Sequence, residues 1–290
     1  MENELSIQNL SFSYGKKRIL EDIQFQCHNG VTALLGNNGE GKSTLFSILS
    51  GLNLAQHGQV LLNGEDLLQA KKFPLHQIGF LPQHFEIFDN VTGYDFLSYI
   101  FSTKGLDPAK KKQYLDETIE TFQLNDVIHK KFKSYSGGYK RRLGIAQAML
   151  GNPALVLVDE PTTGLDPEQR AAFRNILFNT SRQTMTLIST HIIEDVELFS
   201  DKVLILKDKK IRYDGSVDTL IDTAKENLYE LELSLEQFLA IQHRITVIEQ
   251  KRVSGDIIKV KFIANDSSEL MQQRATEVSL ENAYLYFQKK

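Results

Sequence analysis

The residues with the clearest capacity for chemistry form a glycine-rich loop at positions 36–44. The segment reads Gly-Asn-Asn-Gly-Glu-Gly-Lys-Ser-Thr and fits the spacing G-x-x-x-x-G-K-[ST] at every fixed position. Its glycines let backbone N–H groups turn inward around an anion, and a following helix adds the positive end of its dipole. The sequence therefore predicts a phosphate and Mg²⁺ site formed by Asn37, Asn38, Gly39, Glu40, Gly41, Lys42, Ser43 and Thr44.

Two carboxylates and a histidine follow apolar segments further along the chain. Asp159 and Glu160 end the run that starts at Leu155, and His191 follows a second strand-like run. A buried strand would deliver Asp159 to the metal side of the phosphates, where it holds the ion through water. We expect Glu160 to orient and deprotonate an attacking water, and His191 to donate a hydrogen bond to the terminal phosphate.

A second candidate anion site is the turn Ser136-Gly137-Gly138, which we call the signature segment. It opens a helix-compatible run, so free N–H groups, a hydroxyl and a dipole end coincide there. Two phosphate sites for one reaction predict that two chains meet across a dimer. A simple N-cap at Ser136 explains the same residues equally well.

Alternating strands and helices must position these groups. Alternation before residue 28 predicts antiparallel strands, and the later strand, helix and strand pattern predicts a mostly parallel sheet covered by helices. Helical spacing from about 84 to 150 predicts a helical insertion, with Asp107-Pro108 as a helix start. We place a domain boundary near Asp222, which leaves residues 223–290 as an accessory α+β domain.

The composition is that of an ordinary globular chain. It has 290 residues, of which 41% are hydrophobic and 24% charged, with a net charge of −4. That charge argues against nucleic acid as a partner. The single cysteine, Cys27, excludes an internal disulfide and suits a reducing cytosol. No stretch approaches the ~20 apolar residues of a spanning helix, so another chain must supply any membrane part.

Over about residues 1 to 222, the chain resembles the ATP-binding subunits of ABC transporters. The family landmarks occur in their expected order. They are Tyr14 for the aromatic that stacks on adenine, residues 36–44 for Walker A, Gln83 for the Q-loop, residues 136–138 for the signature, Asp159 and Glu160 for Walker B and the catalytic carboxylate, Gly164-Leu165-Asp166 for the D-loop, and His191 for the switch histidine. The resemblance implies a P-loop NTPase core with an antiparallel β subdomain, an inserted helical subdomain and a small α+β C-terminal extension.

The resemblance also implies the chemistry. ATP and Mg²⁺ are the expected cofactors, with Lys42, Glu160 and His191 catalytic and with Ser43, Gln83 and Asp159 at the metal. ATP bound by Walker A of one subunit is expected to be clamped by the signature of the other, in a homodimer or a heterodimer. A separately encoded integral membrane permease is the expected partner, which places this chain at the cytoplasmic face of the cell membrane.

Several positions depart from the family pattern or refine it. Tyr135 and Tyr139 replace the signature's usual first Leu and last Gln, and we expect the site to survive because Ser136, Gly137 and Gly138 remain. Glu40 brings a carboxylate near the phosphates, which weakens binding unless it faces solvent. The ending at 278–286 resembles exporter subunits that handle drugs, antibiotics and peptides, and so does the Tyr-Ser-Gly-Gly form of the signature.

Two other functions are compatible with an ABC-type ATPase domain. A soluble ATPase of the translation or repair type usually carries two such domains or a long coiled coil, and this chain has one domain and no sustained heptads. A pure ATP sensor would bind without turnover, and the intact Glu160 and His191 argue against it. The aromatics Phe85, Phe88, Tyr94 and Phe96 fit either a docking surface for the permease or internal packing.

Overall fold

The computed structural model describes residues 2–163, 165–181, 184–264, 271 and 273–290. Backbone contacts divide the chain into two compact units, Met1–Ile211 and Arg212–Lys290. Gly164, which belongs to the predicted D-loop, lies outside the described residues.

The first unit combines two sheets with helices. Its strands are β1 (Glu4–Tyr14), β2 (Lys17–His28), β3 (Gly30–Leu35), β4 (His57–Leu62), β5 (Glu65–Asp66), β6 (Ile78–Leu81), β7 (Leu155–Asp159), β8 (Met185–Thr190), β9 (Lys202–Lys207) and β10 (Lys210–Gly215), the last of which crosses the unit boundary. Its helices are α1 (Lys42–Leu49), α2 (Gly93–Thr103), α3 (Lys111–Thr121), α4 (Gly137–Met149), α5 (Pro167–Ser181) and α6 (Ile193–Phe199).

The smaller sheet of this unit is antiparallel, in the order β2-β1-β4-β5. Leu5 pairs with Cys27 and Ile7 with Phe25, and all four side chains are buried. On β2, the alternating Gln24 and Gln26 are exposed, as the period-2 pattern predicts, whereas on β1 Ser6 is buried between Leu5 and Ile7. The expected antiparallel β subdomain is therefore confirmed, and Cys27 is a packed strand residue.

The larger sheet carries the chemistry-bearing segments. Its order is β10-β9-β3-β8-β7-β6, and β6, β7, β8, β3 and β9 run parallel. Because carboxyl ends of parallel strands meet at one edge of a sheet, the ends of β3, β7 and β8 bring together the phosphate loop, Glu160 and His191. Leu35 is level with Thr190, and Asp159 is level with Ser189. The predicted parallel α/β core is confirmed.

Helices α2, α3 and α4 lie between β6 and β7 in the chain and share an apolar core. Leu97, Phe101, Leu115, Phe132 and Leu143 are buried in this core. The predicted helix start at Asp107-Pro108 forms a short 3₁₀ turn, in which the Asp107 side chain accepts the Ala109 N–H. Helix α3 follows directly from that turn.

The second unit packs helices on a three-stranded antiparallel sheet of order β11-β13-β12. Its elements are α7 (Val217–Lys225), β11 (Tyr229–Ser234), α8 (Leu235–Ile241), β12 (Ile245–Ser254), β13 (Ile257–Ala264) and α9 (Leu280–Lys289). Residue 222, where the sequence analysis placed the boundary, lies inside α7. That helix packs on α9, which is why the division by contacts falls earlier, after Ile211.

The ending that resembles exporter subunits has a structural explanation of its own. Ser279 and Asn282 form a capping box at the start of α9, which satisfies backbone groups that the helix leaves unpaired. The Asn282 side chain also accepts a hydrogen bond from Lys261 at 3.1 Å. Leu280 and Ala283 are buried. This segment therefore fixes the last helix to the second unit.

Candidate active site

The phosphate loop joins the end of β3 to the start of α1. Gly39 and Gly41 have φ values of 88° and 109°, a left-handed region that favours glycine. A Cβ on Gly41 would also lie 2.9 Å from the Leu20 Cδ2 atom. The Lys42 ammonium donates hydrogen bonds to the carbonyls of Gly36 and Asn37, at 2.7 and 3.3 Å. These contacts hold the Lys42 side chain against the first residues of the loop.

The carboxylates at the end of β7 face this loop. Asp159, Glu160 and Lys42 are each 5–6% exposed. The Glu160 Oε1 atom lies 3.7 Å from the Lys42 Nζ atom, and the Ser189 hydroxyl donates a hydrogen bond to Asp159. A water-poor setting strengthens such charge interactions. This arrangement joins the phosphate lysine and the predicted base in one buried cluster.

Two further groups hold the other oxygen of the Glu160 carboxylate. The His191 Nδ1 atom lies 2.7 Å from Glu160 Oε2, and the Thr163 hydroxyl donates to the same oxygen at 3.1 Å. The backbone of Glu160 is left-handed, with φ of 48°, and its N–H donates to the Ser189 carbonyl at 3.1 Å. The carboxylate is therefore fixed by its neighbours on both sides.

A cavity of about 190 Å³ lies between the loop and these carboxylates. It is lined by Ile19, Asn38, Gly39, Gly41, Lys42, Ser43, Thr44, Gln83 and Glu160. The structure thus brings the loop, the glutamine and the glutamate together as the sequence predicts. Ile19 was missed, because an apolar residue of an N-terminal strand carries no motif.

The donor set at this cavity suits Mg²⁺. Ser43 and Gln83 line the cavity and supply a hydroxyl and an amide oxygen. The predicted third ligand, Asp159, is not among the lining residues, and its carboxylate accepts a hydrogen bond from the Ser189 hydroxyl. Mg²⁺ prefers such hard ligands and usually completes its shell with waters and substrate phosphates. In the part of the chain that the structure describes, no cluster of three or more His, Cys, Asp or Glu would hold a metal.

Two predicted contact residues lie in different surroundings. Tyr14 is 52% exposed, its ring meets Phe12 edge-on at 4.8 Å, and its hydroxyl accepts a hydrogen bond from Asn53 at 3.0 Å. Its ring is thus on the surface, outside the residues that line the cavity. The Glu40 carboxylate accepts the Asp208 N–H at 2.9 Å, a contact with the β9–β10 turn.

The signature segment does not line this cavity. The Ser136 hydroxyl caps α4 by accepting the Tyr139 N–H at 3.4 Å. Gly137 is exposed, and a Cβ placed on it would meet no atom of the described residues within 4 Å. Gly138 lines a separate cavity of about 310 Å³ with Asp166 and Gln169. Ser136 therefore has the predicted capping role, and none of the described residues fills the space before Gly137.

Tyr135 is a buried member of the helical core. Its hydroxyl donates to the Val127 carbonyl at 2.7 Å. Burial raises the pKa of Tyr135 to about 12. Its side chain thus faces the core, and the following Ser136 and Gly137 remain exposed.

Comparisons with known proteins agree with this geometry. A family model described as ABC transporter matches residues 20–163. An uncharacterized ABC transporter ATP-binding protein of Bacillus subtilis, YxlF, is 32% identical over 89% of this chain and 87% of its own length. The chain belongs to the ABC transporter ATP-binding proteins. The lantibiotic transport ATP-binding protein SrtF of Streptococcus pyogenes is 34% identical over 78% of this chain and 95% of its own length.

A solved ATP-binding subunit of an ABC transporter has the same fold as this ABC protein. The two share 27% identity with a TM-score of 0.67, over 76% of this chain and 92% of that one. The chain is thus an ATP-hydrolysing subunit of an ABC transporter, and such subunits dimerise and act with membrane permeases. Among the described residues, no helix has the length and apolar character of a membrane span.

Proposed function

We propose that this subunit drives export of an antibiotic, a drug or a lantibiotic-like peptide through a separately encoded membrane permease. The similarity to the lantibiotic transport protein SrtF supports that cargo class, and the ending at 278–286 resembles exporter subunits. The observation that carries the ATPase role is the contact of Glu160 with Lys42 and His191 beside the phosphate loop, in which Lys42 and Glu160 are buried and His191 is exposed.

The geometry suggests a role for each residue in hydrolysis. Phosphoryl transfer depends mainly on positioning and charge stabilisation. Lys42 and the start of α1 neutralise charge on the phosphates, and Glu160 accepts the proton of the attacking water. His191 orients the Glu160 carboxylate and reaches toward the terminal phosphate. Mg²⁺, held by Ser43, Gln83 and Asp159, would neutralise charge on the β- and γ-phosphates.

We further propose that two ATP-binding subunits enclose the nucleotide. The γ-phosphate needs donors on several sides, and the signature segment lies outside the cavity of its own chain. Ser136, Gly137 and Gly138 of one subunit would therefore contact ATP held by the other, in a homodimer or a heterodimer. The open space before Gly137 supports such an approach, and loss of the γ-phosphate would release the contact.

An apolar groove after Gln83 is our proposed docking site for the permease. The groove has a volume of about 650 Å³ and is lined by Glu86, Ile87, Phe88, Val91, Asp95, Phe96 and Tyr99. Phe88 is 86% exposed and Tyr99 is 67% exposed, and exposed apolar surface of this kind often marks an interface. The rings of Phe85 and Phe96 pack against each other, with their centroids 5.7 Å apart. These two aromatic residues therefore contribute to internal packing, whereas Phe88 lies on the surface.

Co-purification tests this function. The chain is expressed with the membrane protein encoded beside it, extracted in detergent, and captured through a tag on the chain. We expect a complex with the multi-span protein at the cytoplasmic face of the membrane, and we expect Phe88→Asp to abolish it. Leu239→Asp, at a 53% exposed leucine of the second unit, is the matched control. A chain that always purifies alone, or on ribosomes, would contradict the exporter function.

A further inference from the structure

Arg141, near the start of α4, joins three separate segments through one side chain. Its Nε atom donates to the Pro161 carbonyl at 2.7 Å, and its Nη2 atom donates to the Glu160 carbonyl at 2.7 Å. Its Nη1 atom donates to the Gln83 carbonyl at 3.2 Å. The helix that starts at the signature segment is thereby connected to the backbone of the predicted base and of the cavity glutamine.

One carbonyl that Arg141 binds belongs to Glu160, whose backbone conformation is unfavourable. Glu160 has a φ of 48°, which is unfavourable for a residue with a Cβ. Its N–H is held by the Ser189 carbonyl at 3.1 Å, and its own carbonyl is held by Arg141. The direction of the Glu160 side chain follows from that backbone conformation.

The chemistry of the guanidinium matches this task. Burial lowers the pKa of Arg141 to about 10, and the Asp159 carboxylate opposes that shift, so the group stays protonated at neutral pH. A planar fork with several donors can satisfy three carbonyls at once, which an ammonium group cannot do in the same geometry. The neighbouring cations behave differently, because Lys140 stands over the Phe132 ring and Arg142 over the Tyr139 ring.

We propose that Arg141 is a positioning residue of the ATPase site that sets Glu160 and Gln83 relative to the signature helix α4. This inference rests on the proposed roles of Glu160, Gln83 and the signature segment. Movement of α4, when the signature segment contacts nucleotide on a partner, would reach the Glu160 and Gln83 backbones through these three hydrogen bonds. Arg141 would thus link closure of the two subunits to alignment of the base.

The first test separates nucleotide binding from turnover. Arg141→Met removes all donors, Arg141→Lys keeps the charge without the fork, and Arg18→Gln is a control at an exposed arginine. We expect ATP affinity to stay the same for all four proteins. We expect kcat to fall between roughly tenfold and a hundredfold in Arg141→Met, because small misplacements of catalytic groups cost that much, and to fall less in Arg141→Lys. Parallel losses of kcat and of nucleotide-binding capacity would show a folding defect and overturn the proposal.

The second test follows the link itself. The chain has no tryptophan, so Phe88→Trp places a single reporter on the exposed segment after Gln83. We expect nucleotide and Mg²⁺ to change its emission when Arg141 is present, and we expect Arg141→Met to abolish the change while ATP still binds. An unchanged emission response in Arg141→Met would overturn the proposal. A wild-type chain that binds ATP without hydrolysing it would instead contradict the proposed function. Even then, the comparison of emission with and without Arg141 would test whether Arg141 links nucleotide binding to the segment after Gln83.

Discussion

Replacing Tyr135 with phenylalanine removes one hydroxyl from the core of the helical region, next to the signature segment. The side chain is 6% exposed. Its hydroxyl donates to the Val127 carbonyl at 2.7 Å. Because a buried backbone group left without a partner costs about 1–3 kcal/mol, we expect Tyr135→Phe to lower the free energy of unfolding by about that amount.

Gly93 provides the second half of this test. A Cβ at Gly93 would lie 2.3 Å from the Tyr135 hydroxyl and 3.0 Å from the Ile128 Cδ1 atom. Gly93→Ala should therefore cost about 1–3 kcal/mol through overpacking. Tyr135→Phe removes the closest contact, so the double variant should be more stable than the sum of the two losses predicts, by roughly 1 kcal/mol.

Urea unfolding of the wild type, both single variants and the double variant measures the coupling. Turnover is measured beside it, and kcat should be preserved in Tyr135→Phe because Ser136, Gly137 and Gly138 keep their places. The pKa of Tyr135 is raised to about 12 in the folded chain, so the unfolded chain ionises first above pH 10. The contribution of Tyr135 to the free energy of unfolding should be fully present below pH 10 and should decrease toward pH 12. This decrease should be absent in Tyr135→Phe. Strictly additive losses would show that the Tyr135 hydroxyl and residue 93 are not coupled.

Two further variants test other parts of the first unit. The buried Lys104 ammonium donates to the carbonyls of Ala148 and Leu150 at 3.0 and 2.7 Å, and burial lowers its pKa to about 8. Because the unfolded chain keeps that proton up to a higher pH, the free energy of unfolding of the wild type should rise by about 3 kcal/mol relative to that of Lys104→Met between pH 8 and 10.5. The same pH dependence of the free energy of unfolding in both proteins would contradict this. Thr163→Val removes a donor to the Glu160 carboxylate and should lower kcat about tenfold at unchanged ATP affinity. Thr163→Ser keeps the hydroxyl and should keep the wild-type kcat. Equal kcat values for the two variants would show that the hydroxyl plays no part in turnover.

Local patterns made the core of the site predictable. The glycine spacing dictates the loop around Lys42, and a buried apolar run must end where Asp159 and Glu160 emerge. Parallel strands then bring those ends to one edge of the sheet. These inferences need no knowledge of distant packing, so the phosphate loop and its grouping with Glu160 followed from local patterns, whereas the place of Gln83 in the site followed from the family resemblance.

The parts that sequence analysis missed depend on contacts between distant backbones. The three acceptors of Arg141 are main-chain carbonyls of Gln83, Glu160 and Pro161, which have no side-chain identity to recognise. In the sequence, Lys140-Arg141-Arg142 is an ordinary basic run. The domain boundary lies after Ile211 and not near residue 222 for a similar reason, because it depends on how α7 packs on α9.

The most direct measurement of the central claim is the mass of Glu160→Gln in solution with ATP and Mg²⁺. We expect this variant to bind ATP, to lose turnover and to form a stable dimer, which light scattering after size exclusion would detect. Glu120→Gln, at an exposed glutamate of α3, should hydrolyse ATP as the wild type does. A Glu160→Gln chain that keeps its turnover, or one that stays monomeric when saturated with ATP both alone and with its permease, would contradict the account.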